Sequence, residues 1–247
     1  MTRTIYLLFG VVAYLVFFAT FLYLIGFVGN LADLPRTVDR GGVPAELWQA
    51  VAINLGLIAL FGLQHSIMAR RGFKAAWGRI VPAPLERSSY VLFASLALIL
   101  MFLFWQPIPA TVWSIESDVG AGLMWGLFAS GWLIVLVSTF LISHFELFGL
   151  QQVWGHARRA QASEPVFRQP FFYRMVRPPI YSGFFLAFWA TPHMTVGHLL
   201  LAAGMSVYIL IGIRYEERDL VSMFGSSYEE YRGRVGMLAP KLRRRAG

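Results

Sequence analysis

The chain of 247 residues contains no cysteine, so disulfides, thiolate metal sites and cysteine nucleophiles are excluded. Charge is also scarce. Only 14% of residues are Asp, Glu, Lys or Arg, against roughly a quarter in a soluble domain. No His-x-x-x-His pair stands anywhere in the sequence, and no metal site is expected. Gly120-x-Gly122-x-x-x-Gly126 misses the dinucleotide fingerprint spacing and lies inside an apolar run, which argues against a soluble Rossmann-type domain. No polar linker is long enough to divide the chain, so residues 1–247 are expected to form one domain, with a four-span part at 1–150 and a motif-bearing part at 151–247.

What is present is hydrophobic: 57% of the residues, in runs that reach the ~20 residues needed to cross a bilayer. The expectation is an all-α, polytopic transmembrane bundle of about six spans. They are placed at Thr4–Gly29, Leu47–Met68, Ser89–Trp105, Ala121–Leu150, Pro179–Ala190 and Thr195–Ile213. The first span lacks a small-residue cleavage site and is read as retained. The last two form a C-terminal helical hairpin, the fifth span being short and interrupted by Thr191-Pro192.

A net charge of +8 suggests nucleic acid until its placement is considered. In the six-span arrangement, 19 of the 21 basic residues fall on one side, and only Arg36 and Arg40 fall on the other. Both termini are therefore expected in the cytoplasm, with the bilayer and not nucleic acid as the partner. In the tail, Gly225 suits a helix end. Ser227-x-x-Glu230 reads as a capping box, which places Tyr228 and Tyr231 on one face of a short cytosolic helix.

The chemistry-bearing residues lie near that cytoplasmic end. Pro178-Pro179 holds Arg177 extended and lets a helix begin at about Pro179. If the hairpin closes, Arg177 and Tyr181 meet Glu216 and Glu217. Gln64, His65 and Ser66 end the second span, and His144 and Glu146 stand in the fourth, where polar groups are costly and usually functional or helix-pairing. His144 and Glu146 are roughly 200° apart around a helix, so both cannot face one cavity squarely. Glu216 and Glu217 have a plainer alternative, pairing with Arg214 and Arg218 on the same helix.

Arg177-Pro178-Pro179-Ile180-Tyr181-Ser182-Gly183, an apolar hairpin, Glu216-Glu217-x-x-Leu220 and Phe224-Gly225-x-x-Tyr228-x-x-Tyr231 resemble the isoprenylcysteine carboxyl methyltransferase superfamily. Pro178 stands where that pattern usually has histidine. In the first half, residues 15–30 and Gln64-His65-Ser66-x-Met68-Ala69-Arg70 look like the methanethiol S-methyltransferases, membrane enzymes that form dimethyl sulfide. The Gln-His-Ser segment also recurs in nurim-like proteins. The resemblance implies S-adenosylmethionine held by Arg177, Pro178, Tyr181, Gly183, Glu216 and Glu217. It further implies a small thiol acceptor. The polar residues gathered at the cytoplasmic end place that acceptor near Gln64, Ser66 and Glu146. Since the thiolate is the nucleophile, His65 is the first candidate base and His144 the second. Another acceptor (a prenylcysteine carboxylate, a lipid amine, a different hydrophobic thiol) and a non-catalytic nurim-like role stay open.

Overall fold

Helices begin and end where the apolar runs meet prolines, glycines and charges. The computed structural model describes residues 2–43, 45–159 and 171–241; Arg168, Arg243, Arg244 and Arg245, counted above with the cytoplasmic bases, lie outside them. In chain order the elements are α1 (Thr2–Val28), α2 (Leu47–Ala69), α3 (Arg71–Trp77), α4 (Ala83–Phe104), β1 (Thr111–Ser114), α5 (Asp118–Ile142), α6 (His144–Leu147) and α7 (Leu150–Arg158). A 3-10 turn at Phe171–Arg174 leads into α8 (Pro179–Trp189), β2 (His193–Thr195), α9 (Val196–Phe224) and α10 (Ser226–Arg234).

Among the described residues five helices, α1, α2, α4, α5 and α9, are long and apolar enough to cross a membrane. The protein is therefore a multi-pass, all-α membrane protein. The span expected at Pro179–Ala190 is an 11-residue helix. At 1.5 Å per residue it covers roughly 16 Å, about half the hydrocarbon thickness.

The chain forms two compact units, each drawn from separated stretches. The first comprises Met1–Ser114, Ser143–Glu164 and His193–Gly204. In it, Phe27 packs on Phe102, with ring centroids 5.0 Å apart. The indole of the buried Trp105 donates to the carbonyl of Val38. Asn54, wholly buried in α2, satisfies both halves of its amide on one residue: Nδ2 donates to the Gln106 carbonyl at 2.7 Å, and Oδ1 accepts from the Gln106 amide at 2.8 Å. An unpaired amide inside an apolar span would cost several kcal/mol, on the order of a lost buried hydrogen bond or more. The loop after α1 is closed by Asp39, which accepts from Asn30 Nδ2 at 3.2 Å and from the hydroxyl of Thr195. β1 and β2 pair antiparallel in the same unit, a small sheet that apolar periodicity did not foreshadow.

The second unit comprises Ile115–Ile142, Pro165–Pro192 and Met205–Gly247. Its axis is the packing of α8 on α5. Gly131 and Gly183 bring the two backbones together so closely that a Cβ on Gly131 would lie 2.6 Å from the Ala187 amide nitrogen and 2.8 Å from the Gly183 carbonyl. Such small-residue seams are how helices pack without a hydrophobic driving force between them.

Two sequence expectations need correction. The fourth span does not run to Leu150. The helix stops at Ile142, where Ser143 adopts ψ 88° instead of the helical value, and His144–Leu147 forms a separate short helix. The tail helix is also not opened by a Ser227–Glu230 capping box. It starts one residue earlier, at Ser226, capped by Gly225 at φ 55° with no side-chain cap bond. Glycine suits that positive φ, which residues with a side chain rarely adopt.

Candidate functional site

Pro178 is the N-cap of α8 and Pro179 its first helical residue, where the missing N–H costs nothing because that donor has no intrahelical partner. The Arg177–Pro178 peptide is cis. From this fixed start α8 carries Tyr181 to α9, and the phenol hydroxyl donates to Glu216 Oε2 at 2.6 Å. Arg177 Nε donates to Glu217 Oε1 at 2.8 Å in a largely buried ion pair. Arg177, Pro178, Tyr181, Gly183, Glu216 and Glu217 are thus gathered within one unit. The plainer alternative for the acids, pairing with Arg214 and Arg218, is not what the structure contains.

Arg177 does more than face Glu217. Its Nη1 donates to the carbonyl of Arg232 at 3.0 Å and to that of Val235. Its backbone amide donates to the Gly236 carbonyl at 3.0 Å. One side chain therefore fastens the last turn of α10 to the segment before α8. Tyr231 adds a second stitch, its hydroxyl donating to the carbonyl of Tyr173 at 2.6 Å. Tyr228 and Tyr231, both buried, sit with ring centroids 5.7 Å apart, on the shared face expected from their spacing.

These phenols remain protonated. Burial first, then the Glu216 carboxylate and Tyr231, raises the Tyr173 hydroxyl above its ordinary value. Burial and the two glutamates do the same at Tyr228, against the opposing pull of Arg177. Tyr231 is pushed up to about 12 by burial, partly offset by Arg177. They are neutral packing surfaces, and Tyr231 also donates its hydroxyl to a backbone carbonyl. Two buried hydroxyls of this unit, Tyr173 Oη and Ser182 Oγ, have no hydrogen-bond partner among the described residues. A buried orphan hydroxyl is costly unless something polar meets it. Two acids, one paired with arginine, and two unmet hydroxyls fit a ligand carrying a positive charge, an amine and sugar hydroxyls. Ser182 stands inside the Arg177–Gly183 motif without an assigned role, and nothing local separates Tyr173 from ordinary packing residues.

The other candidates lie in the first unit. Gln64, His65 and Ser66 are on the last turns of α2. His65 Nε2 is 2.6 Å from the Tyr90 hydroxyl on α4, and Gln64 Nε2 lies 3.1 Å from Met68 Sδ. The carbonyl oxygen of Gln64 is buried with no hydrogen-bond partner among the described residues. Arg87 lies over the Tyr90 ring at 5.0 Å and donates to the Leu147 carbonyl at 2.7 Å, tying α4 to α6. His144 is buried against Tyr14, whose hydroxyl is 2.9 Å from its Nε2, and against Phe145 and Phe148. Burial holds its imidazole below the usual histidine value, in the neutral form. Glu146 is exposed. The two residues therefore diverge, as their spacing required, with His144 inward and Glu146 outward. Tyr14 and Tyr90, the histidine partners, come from distant parts of the chain, and no local motif marked them.

Comparison with known proteins bears on this arrangement. The chain is 52% identical over 234 residues to Methanethiol S-methyltransferase 1 of Bradyrhizobium diazoefficiens, covering 94% of this chain and 81% of that protein. It is 49% identical over 240 residues to the Methanethiol S-methyltransferase of Mycobacterium tuberculosis, covering 97% and 98% of the two. The chain belongs to the methanethiol S-methyltransferase family. Nurim of Xenopus laevis is a more distant relative of this family member, 29% identical over 197 residues, 76% of this chain and 68% of that protein. No family model matches the sequence, and no solved structure matches it. Like its relatives in the family, the chain is related along nearly its whole length, so the polar residues of α2 and α6 and the motif of α8 and α9 all fall within the shared region.

Proposed function

We propose that the protein methylates methanethiol to dimethyl sulfide in the bacterial inner membrane, with S-adenosylmethionine as donor and residues 1–247 acting as one methyltransferase domain. The observation that carries this reading is the near-full-length identity of about one half to enzymes of that name. The donor supplies an electrophilic methyl on a sulfonium cation. The thiolate sulfur forms a bond to the methyl carbon, the carbon–sulfonium bond breaks, and its electron pair returns to the donor sulfur. The thiol proton leaves to a base or to water.

The chain's own contribution is binding, orientation and exclusion of water. Glu216, oriented by Tyr181, suits the cation or the amine, and Tyr173 and Ser182 offer hydroxyls to a sugar or carboxylate. Arg177 aligns Glu217 and holds the tail helix, while Pro178 and Gly183 set the start and the seat of α8. His65 is assigned the proton first and His144 second, with Gln64, Ser66 and Glu146 on the acceptor side. A small thiol partitions into apolar surroundings, which suits a membrane enzyme.

Purified protein given S-adenosylmethionine and methanethiol is expected to release dimethyl sulfide, measured in the headspace by gas chromatography. Glu216→Ala is expected to weaken donor binding by calorimetry at least about tenfold, the loss of a charge-assisted bond being worth roughly 1.5–3 kcal/mol. Unchanged affinity in that variant would remove the assigned cofactor residues. Activity only on a prenylcysteine or lipid acceptor would replace the acceptor. His65→Ala should lower turnover more than donor affinity, and its defect should shrink in alkaline buffer, where solvent supplies the thiolate. A defect constant with pH would make His65 a positioning residue.

The orientation we propose has both termini in the cytoplasm, supported by the one-sided placement of arginine and lysine. In this cysteine-free chain, a single cysteine introduced beside Arg158 should resist an impermeant thiol reagent in intact cells. A cysteine beside Arg36 should react. The reverse pattern inverts the protein.

A further inference from the structure

Helix α9 presents opposite chemistry on its two sides at one depth. Successive residues turn by 100°, so Ile211, Arg214, Tyr215 and Arg218 fall within a single sector about 100° wide. Glu216, Glu217 and the wholly buried Ile213 lie on the other side. The inner side is committed, Glu216 to Tyr181 and Glu217 to Arg177. The outer side is open: Ile211 is 46% and Tyr215 43% exposed, and Arg214 and Arg218 are exposed as well. Together these four residues line a recess of about 310 Å³. No carboxylate among the described residues forms an ion pair with either arginine. Asp219, the nearest acid in sequence on that flank, is exposed and lies about 90° around the helix from the centre of the sector.

Depth then decides what such a recess meets. The stretch from Val196 to Ile213 contains no charged residue, and its 18 residues rise roughly 27 Å, close to the ~30 Å of a hydrocarbon core. Arg214 is the first charge beyond it. The outer face therefore runs from an aliphatic side chain at acyl depth, through a tyrosine at the interface, to two guanidinium groups one turn apart at the headgroup level. The Arg218 guanidinium lies over the Tyr215 ring at 5.7 Å, so it leans back toward the membrane. Arginine forks match phosphate oxygens, and tyrosine favours the interface.

We propose that Ile211, Arg214, Tyr215 and Arg218 form a binding site for the phosphate headgroup of an anionic phospholipid, its acyl chain lying along Ile211. The site is distinct from the residues assigned to methyl transfer and does not depend on that assignment.

The test is native mass spectrometry of the detergent-purified full chain with phosphatidylglycerol or phosphatidylcholine added at equal concentration. The wild type should retain phosphatidylglycerol in roughly tenfold or greater preference, each interfacial arginine contributing about one factor of several. Arg214→Gln with Arg218→Gln should abolish the preference. Arg232→Gln with Arg234→Gln, the same charge change in the same unit, should keep it. Arg214→Lys with Arg218→Lys, which preserves charge and solubility but loses the fork geometry, should retain an intermediate preference and guards against a misfolded glutamine variant. The proposal is overturned if the Arg214 and Arg218 glutamine variant retains phosphatidylglycerol like the wild type, or if both glutamine pairs lose it equally. It is also overturned if inorganic phosphate displaces the lipid, which would make the ligand a free anion, or if an acidic peptide outcompetes it, which would make the face a protein contact.

Discussion

Arg177→Ala is expected to release the C-terminal helix before it affects anything else. The guanidinium neutralises Glu217 and donates to the carbonyls of Arg232 and Val235, so its loss leaves a largely buried carboxylate and two carbonyls without donors. Breaking a buried pair on one side costs about 3–5 kcal/mol. The slight exposure of both partners places this pair at the lower end, near 3 kcal/mol. A shift of that size raises the detached population of α10 by about a hundredfold. Trypsin reads it directly, because Arg232 and Arg234 are cleavable only when α10 is loose. The wild type should resist brief digestion in detergent and Arg177→Ala should lose its tail. Replacing both partners, Arg177→Met with Glu217→Gln, should recover much of the loss, since no uncompensated charge is left behind. Equal digestion of the wild type and Arg177→Ala would mean that the tail is held by Tyr173, Tyr228 and Tyr231 alone.

The second large effect is expected in the seam between α5 and α8. Gly131→Val places a branched side chain where even a Cβ would lie 2.6 Å from the Ala187 backbone nitrogen. Neither helix can yield by turning a side chain, because the obstructing atoms are backbone. The helices must separate, at a cost of roughly 3 kcal/mol or more for an overpacked contact. Because α8 delivers Tyr181 to Glu216, Gly131→Val should lower thermal stability and weaken donor binding together. Gly126 stands five residues earlier on the same helix, and a Cβ added there would meet nothing within 4 Å. Gly126→Ala should therefore be neutral or stabilise by up to about 1 kcal/mol through helix propensity. Opposite signs at two glycines of one helix, read by thermal unfolding in detergent, would establish the seam; equal effects would dissolve it.

The seam also shows where reading from sequence stops. Gly183 is legible as a motif residue, and the resemblance implies a cofactor role for it. The structure gives it a packing partner, Gly131, which no local pattern singles out from the chain's other glycines. Asn54 is a similar case: its partner is the backbone of Gln106, and a lone asparagine in an apolar run does not announce where its hydrogen bonds go. The break at Ser143 is hidden because Phe145, Leu147 and Phe148 continue the apolar run past it, and the polar His144 and Glu146 read equally well as functional groups within a span. A short hydrophobic helix and the end of a long one have the same composition.

Composition and order alone determined that this is an all-α, multi-pass membrane protein, because water-excluded backbone must satisfy itself and the apolar runs have the length of spans. They also determined that α8 begins at Pro179, since ring geometry acts within one or two residues. Membership of a methyltransferase family was legible too, in spaced motifs distributed over both halves of the chain. Only the tertiary structure decided which acid meets which partner. Glu216 and Glu217 are neighbours in sequence yet face different elements, one receiving Tyr181 and the other Arg177, because a 100° helical step sends adjacent side chains in different directions. It also decided that Arg177 spends its donors on Glu217 and the tail carbonyls, since those acceptors lie 40 to 58 residues away and come within reach only when α8, α9 and α10 have packed.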